Sequence, residues 1–270
     1  MDYDEEGRYK FERFLDKLLG DKSYATNLLQ RFNLYVNVTG ERLKTAPKYY
    51  KNGGIAEEYN PERSEIVANL SKPLNVLFPI LVKQLPEGNS ILQTLEQGTK
   101  FLDIGCGSGI LIIHLAEMFQ NTKFVGIDPI NHGIRTAQKK ILELGLEDRV
   151  SVECLGGQDL QYTNEFGVIS MVITLHEILT DFRYNLLEKG FQALKKDGQL
   201  IIVDISYPDK IEDFRTPNYE MGIVEQFNET CLGVQVPTSH GQNELLINIG
   251  FKDIQRGSFS GIDIISAKKE

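Results

Sequence analysis

Three glycines and two acidic residues form the clearest chemical pattern in the sequence. Gly105, Gly107 and Gly109 stand at alternate positions; Asp103 precedes them, and Asp128 follows 19 residues after Gly109. Glycines in a turn let a ligand approach the backbone, and an acid at that distance is placed to accept hydrogen bonds from ribose hydroxyls. The spacing departs from the GxGxxG dinucleotide fingerprint, and an Asp before the first glycine would repel a pyrophosphate. The pattern instead favours a nucleoside ligand with a cationic amino group.

The elements around this pattern are predicted to be those of a parallel sheet. Strands alternate with helices from residue 100 onward, which implies a sheet covered on both faces. Gly145 and Gly198 are predicted helix stops, and two final runs around Gly261 predict a hairpin with an antiparallel last strand. The predicted strands are about 100–105, 123–128, 149–154, 168–175, 199–206, 251–258 and 262–268, and the helices are about 109–119, 131–144 and 181–196.

The first 99 residues have a helical pattern of a different kind. Asn60-Pro61 is a helix-start signal, and the apolar spacing that follows predicts two helices before a break at residues 86–88. The apolar residues of the two helices are Ile66, Val67 and Leu70 in the first and Leu74, Leu77, Phe78 and Leu81 in the second. We therefore expect residues 1–99 to form a helical cap or lid and residues 100–270 to form the catalytic domain.

Four short segments together resemble the class I S-adenosylmethionine-dependent methyltransferase family. They are DIGCGSG from Asp103, GIDP ending at Pro129, GGQD ending at Asp159 and KDG ending at Gly198. The resemblance covers roughly residues 95–270. It implies an α/β fold: a Rossmann-like seven-stranded methyltransferase sheet with an antiparallel last strand, here with an N-terminal helical cap.

The resemblance also implies a set of residues that bind S-adenosylmethionine. Asp103 and the three glycines would surround the methionine part, and Asp128 would bind the ribose hydroxyls. The remaining residues would lie around the adenine or at the same edge of the sheet: Pro129, Ile130, Gln158, Asp159 and Thr174.

A histidine follows the fourth predicted strand, where the methyl acceptor would bind. His176 and Glu177 resemble the Leu-His-Asp segment of small-molecule O-methyltransferases, whose His is the catalytic base, although Ile178 stands where those enzymes have Trp. Alternatively, His176 caps the next helix or packs under the cofactor. His240, in the segment Pro-Thr-Ser-His-Gly, is a second catalytic candidate, or else a surface residue at the start of a helix.

Two imidazoles and one carboxylate would also form a metal site. His176, Glu177 and His240 supply the ligand types of an open facial triad, which suits Fe(II) and related ions such as Mn. The arrangement resembles a minority of metal-assisted methyltransferases, in which a metal would stabilise the anion of an enolizable or chelating acceptor. The alternative is a base that acts without a metal.

A group of tyrosines in the predicted cap is the last feature with a chemical interpretation. In many of these enzymes a helical N-terminal segment covers the cofactor, and a tyrosine from it reaches the methionine carboxylate or the acceptor. Tyr49, Tyr50 and Tyr59 are candidates for this role; ordinary packing of the lid is the alternative.

Composition limits the classes of partner. The net charge of −9 argues against a protein that tracks nucleic-acid phosphates, and no apolar run is long enough to span a bilayer. Three widely spaced cysteines indicate free thiols in a reducing compartment, so we expect a cytoplasmic protein. Together with the resemblance, this predicts an enzyme that methylates oxygen or carbon of a small molecule. We expect it to assemble as a homodimer. An N-methyltransferase and a non-catalytic cofactor-binding module are the alternatives.

Overall fold

The computed structural model describes residues 2–3, 9–10, 35–41, 43–44, 47 and 61–270. Before residue 61 it shows an antiparallel pair of two-residue strands, Asp2–Tyr3 with Tyr9–Lys10, and a π-helical turn at Tyr35–Thr39. The apolar spacing near the start of the chain, at Phe11, Phe14, Leu15 and Leu18 and then at Leu28 and Phe32, predicts two further helices, which lie outside the described residues. The three candidate tyrosines, Tyr49, Tyr50 and Tyr59, also lie outside them.

Seven strands form one sheet. They are β1 Lys100–Ile104, β2 Lys123–Asp128, β3 Val150–Cys154, β4 Phe166–Val172, β5 Leu194–Asp204, β6 Lys252–Phe259 and β7 Ile262–Lys268. Their order across the sheet is β3-β2-β1-β4-β5-β7-β6. Neighbouring strands among β1 to β5 pair in parallel, whereas β7 pairs antiparallel with both β5 and β6. The predicted seven-stranded sheet with an antiparallel last strand is therefore confirmed.

Seven helices accompany the sheet in residues 61–270. They are α1 Pro61–Val82, α2 Gly88–Gln97, α3 Ile110–Met118, α4 Asn131–Leu144, α5 Thr180–Ala193, α6 Glu220–Thr230 and α7 Ser239–Ile249. Residues of α1 to α4 pack in one apolar cluster on one face of the sheet, and residues of α5 and α7 pack in a second cluster on the other face. This arrangement leaves the carboxyl ends of the parallel strands as the edge where ligands bind in such sheets. No helix in the described part of the chain is long and apolar enough to cross a membrane.

Three local predictions were wrong. The two helices predicted after Pro61 are one helix, α1, which continues through Pro73 and Pro79 because Phe78, Leu81 and Val82 pack in the core beside the sheet. Gly198 does not stop a helix: α5 ends at Ala193, and Gly198 lies inside β5, which already pairs with β4 at Leu194. The fourth strand ends at Val172, three residues before its predicted end. Gly145, in contrast, ends α4 with a φ of 64° as predicted.

Candidate active site

The glycine turn between β1 and α3 leaves open space above its middle residue. Gly105, Gly107 and Gly109 have φ angles of 80°, 51° and 74°, a region that favours glycine. A Cβ at Gly105 would lie 2.5 Å from the Thr174 hydroxyl oxygen, whereas a Cβ at Gly107 would meet nothing within 4 Å. Thr174 thus packs under the turn, and the side of Gly107 is free for a ligand.

Asp103 lies at the inner side of this turn, 3% exposed. The Ser170 hydroxyl donates to its Oδ1 at 2.6 Å. Burial raises the pKa of Asp103 to about 7; the bond from Ser170 opposes this rise, and the charge of Asp128 adds to it. A cationic group bound beside Asp103 would restore its ionised form, because an opposite charge favours the carboxylate.

Asp128 ends β2 and holds the turn in shape. Its Oδ2 accepts from the backbone N–H of Gly107 at 3.0 Å, and its Oδ1 accepts from that of Ile130 at 2.8 Å. Burial raises the pKa of Asp128, against the effect of these two bonds. A carboxylate has about four acceptor positions, so each oxygen keeps capacity for a ribose hydroxyl. Pro129 and Ile130 follow at the exposed surface.

Of the predicted adenine-binding residues, Asp159 borders a small cavity. Gln158 and Asp159 lie in a short 3-10 turn after β3, where the Gln158 amide donates to Asp159 Oδ2 at 2.9 Å. Asp159 borders a cavity of about 330 Å³, and sequence reasoning missed the aromatic ring at its wall, Tyr162. The lining residues are Glu153, Leu155, Asp159, Gln161 and Tyr162.

His176 lies in a 3-10 turn, Leu175–Glu177, that follows β4, and it is 3% exposed. Its ring Nδ1 lies 2.6 Å from Asp204 Oδ1, and its backbone N–H donates to Asp204 Oδ2 at 3.2 Å. Burial acts to lower the pKa of His176, but the carboxylates of Asp204, Glu177 and Glu229 raise it to about 10. Because Asp204 engages Nδ1, Nε2 is the ring nitrogen left for an acceptor or a metal.

Asp204, the partner of His176, was missed by sequence reasoning. It ends β5 and is fully buried. The sequence did hold a signal for it. Asp204 ends an apolar strand, β5, and β5 pairs in parallel with β4, the strand before His176, with Val203 beside Val172. The ends of β4 and β5, and with them His176 and Asp204, therefore lie at the same edge of the sheet. Asp128 occupies the equivalent position on β2.

The structure does not bring His240 to this cluster. Its imidazole, 72% exposed, lies in the first turn of α7 and pairs with Glu244 at 3.3 Å. Glu229 of α6 is buried and lies beside His176 and Glu177. One group with the spacing of metal ligands occurs among the described residues: His176, Glu177 and Glu229, whose ligand atoms lie within 4.8 Å of one another. His176 and Glu177 of the predicted set therefore lie together, and His240 does not join them.

Comparison with known sequences agrees with the geometry of the turn. A family model described as a methyltransferase domain matches residues 95–247. The carboxy-S-adenosyl-L-methionine synthase of Nautilia profundicola is 27% identical over 209 residues, which are 71% of this chain and 86% of that protein. The ribosomal RNA small subunit methyltransferase G of Psychromonas ingrahamii is 29% identical over 152 residues, which are 55% of this chain and 65% of that protein.

Solved structures share the fold at low sequence identity. The S-adenosylmethionine-dependent methyltransferase SibL matches with a TM-score of 0.70 and 16% identity over 97% of this chain and 79% of SibL. The O-methyltransferase NcsB1, solved with S-adenosylmethionine and 2-hydroxy-5-methyl naphthoic acid, matches with a TM-score of 0.63 and 16% identity over 100% of this chain and 80% of NcsB1. Because the family model spans more than half of the sequence, the chain belongs to the methyltransferase domain family and is an S-adenosylmethionine-dependent methyltransferase.

Proposed function

We propose that this enzyme transfers a methyl group to an oxygen or a carbon of a small molecule, with His176 accepting the proton of the acceptor. The observation that carries the proposal is the buried pair of His176 and Asp204, 2.6 Å apart. Thr174, two residues before His176, packs against Gly105 of the glycine turn, so the pair lies close to the predicted position of the cofactor.

The chemistry requires little of the protein beyond alignment and a proton acceptor. A methyl sulfonium is already activated by its charge, so the protein mainly orients the nucleophile. A neutral hydroxyl or carbon acid must also lose a proton to a nearby group. With its Nδ1 engaged by Asp204, His176 would use Nε2 for this purpose.

A phenol is the acceptor class that fits this base best. The carboxylates that raise the pKa of His176 make its neutral imidazole a strong proton acceptor, and only this neutral form can take the proton of the acceptor. A phenol, whose ordinary pKa is about 10, is an acceptor that such a base can ionise. The aromatic hydroxy acid in the NcsB1 complex supports testing phenolic acids first.

The test measures S-adenosylhomocysteine and methylated product by mass spectrometry. Purified protein is incubated with S-adenosylmethionine and, separately, with phenolic acids, 2-keto acids, amines and ribosomal RNA. We expect turnover of a phenolic or keto acid, and a loss of about 100-fold or more in His176→Gln. His240→Gln is the matched control and should keep turnover within about twofold, since its imidazole is exposed and pairs with Glu244.

Each other outcome contradicts the proposal in a different way. Turnover of an amine that His176→Gln leaves intact would identify an N-methyltransferase, which needs no strong base. Turnover of ribosomal RNA alone would identify a nucleic-acid enzyme, the class of one sequence relative. Binding of S-adenosylmethionine without any turnover would identify a non-catalytic module.

A divalent cation at the same cluster is the second candidate, and one observation favours it. His176, Glu177 and Glu229 combine an imidazole with two carboxylates at metal-ligand spacing, a donor set suited to Fe or Mn. Asp204 on the other ring nitrogen would orient His176 in the manner of a metal-bound histidine. A bound cation would stabilise the anion of the acceptor.

Elemental analysis decides between these two candidates. Protein is purified without chelators, loaded with Fe(II) or Mn(II) and desalted. With a metal site, the metal content should fall in Glu229→Gln and stay unchanged in His240→Ala. Equal metal content in wild-type protein and Glu229→Gln would leave the metal-free base as the remaining mechanism.

We further propose a reducing compartment, the cytoplasm, as the place of action, since all three cysteines are free thiols. We also propose a homodimer. Light scattering after size-exclusion chromatography tests the dimer; a mass of one chain, 30.6 kDa, would contradict it.

A further inference from the structure

A buried arginine, Arg183, lies beside the His176 cluster. Arg183, in the first turn of α5, is 5% exposed. We propose that Arg183 is a positioning residue for the reaction, which fixes the main chain of His176 and offsets the charges of Asp204 and Glu229. This inference rests on the proposed function of His176.

The hydrogen bonds of Arg183 join two segments around the cluster. Its Nη2 donates to the carbonyl oxygen of His176 at 3.3 Å and to that of Gln235, in the segment between α6 and α7. Asp204 holds His176 from the other side, through its backbone N–H and its ring. The peptide groups on both sides of His176 are therefore fixed, which limits the orientations of the imidazole.

The location of Arg183 is unfavourable unless the neighbouring acids compensate for it. A cation in the first turn of a helix opposes the helix dipole, and a buried guanidinium loses its hydration. Burial lowers the pKa of Arg183, while the charges of Asp204 and Glu229 raise it. The two acids, both buried, thus stabilise the guanidinium, and the guanidinium stabilises the two acids.

Removing the guanidinium should disturb the cluster rather than only the packing. Two buried carboxylates would then share the imidazole of His176 as their cation, and a buried charge that loses its partner is strongly destabilising. The carbonyl of His176 would also lose its bond from Nη2. Both effects act on the catalytic histidine, although Arg183 itself has no contact with the reacting atoms.

Arg149 provides a matched control. Its Nη2 donates to the carbonyl of Ala116 at 3.0 Å and its Nη1 to that of Phe119 at 3.3 Å. Arg149, just before β3, is therefore bonded to the end of α3 through guanidinium-to-carbonyl hydrogen bonds like those of Arg183. None of these bonds involves a residue of the His176 cluster. A purely structural arginine should behave like Arg149.

The first experiment records the proton on Nδ1 of His176 by NMR, which needs no acceptor. The ring N–H that donates to Asp204 should give a downfield resonance, identified by its loss in His176→Gln. We expect Arg183→Gln to shift or broaden this resonance, Arg183→Lys to restore it in part, and Arg149→Gln to leave it unchanged. An unchanged resonance in Arg183→Gln, or an equal change in Arg149→Gln, would overturn the proposal.

The second experiment uses the acceptor that the enzyme turns over. Arg183→Gln should lower kcat by about tenfold or more while KM for S-adenosylmethionine stays within about twofold, and Arg183→Lys should recover part of kcat. If no acceptor is turned over, the proposed function fails while the NMR result still decides the role of Arg183. If Arg183→Gln does not fold, Arg183→Lys and Arg149→Lys carry the same comparison.

Discussion

The glycine turn and the His176 cluster lie at the same edge of the sheet but are built in different ways. The turn is one continuous segment whose shape comes from backbone angles, with φ positive at three glycines. The cluster is made of side chains from separate segments: the turn after β4, the end of β5, α5 and α6. The turn is therefore sensitive to single added atoms, whereas the cluster depends on charges that compensate one another.

The two regions also differ in what sets the pKa of their buried titratable group. At the turn, burial raises the pKa of Asp103 to about 7, so the acid can respond to the charge of a ligand. In the cluster, the carboxylates overcome the effect of burial and raise the pKa of His176 to about 10. The ionisation of Asp103 therefore depends on a cationic group of the cofactor, whereas the charge of His176 is stabilised by carboxylates of the protein itself.

Adding one methyl group to the turn should produce the largest effect. In Gly105→Ala the new Cβ would lie 2.5 Å from the Thr174 hydroxyl oxygen, and the alanine would have to adopt a positive φ. We therefore expect binding of S-adenosylhomocysteine, measured by calorimetry, to weaken by about 100-fold or more. Gly145→Ala is the control, since its φ is also positive but nothing lies within 4 Å of its Cβ. Equal affinity in both variants would show that the fit against Thr174 does not shape the cofactor site.

Removing a charge from the cluster should separate turnover from cofactor binding. Asp204→Asn keeps the shape of the side chain but not the charge that orients His176, so we expect kcat to fall by about 100-fold or more. Affinity for S-adenosylhomocysteine should change by less than about twofold. A variant that loses both properties together would mean that Asp204 supports the whole edge of the sheet.

The contrast explains how far the sequence alone could lead. The turn was predicted because its glycines and acids are local in sequence, and the sheet followed from alternating strands and helices. His240 is assigned to the cluster from its residue type and its place in the segment after the fifth strand, yet the first turn of α7 leaves its imidazole exposed. Glu229 lies in the same segment, but its burial depends on the packing of α6, which the sequence does not reveal.

The smallest of these effects is a dependence of cofactor affinity on pH. Asp103 has a folded-state pKa of about 7 against an ordinary value of 3.8, so it is mostly protonated at pH 6 and mostly ionised at pH 8. Only the carboxylate attracts the ammonium group of the cofactor, so affinity for S-adenosylhomocysteine should rise about tenfold between these pH values.

Linkage gives the same carboxyl an opposite effect on stability. Because the folded protein holds this proton more tightly than the unfolded chain, the contribution of Asp103 to the free energy of unfolding is present at low pH and is lost as pH rises through about 7. Asp103→Asn should therefore flatten both profiles, measured by calorimetry and by urea unfolding without ligand. If the affinity of Asp103→Asn for S-adenosylhomocysteine still rose tenfold between pH 6 and pH 8, another group would be the one that titrates. The predicted electrostatic role of Asp103 would then be wrong.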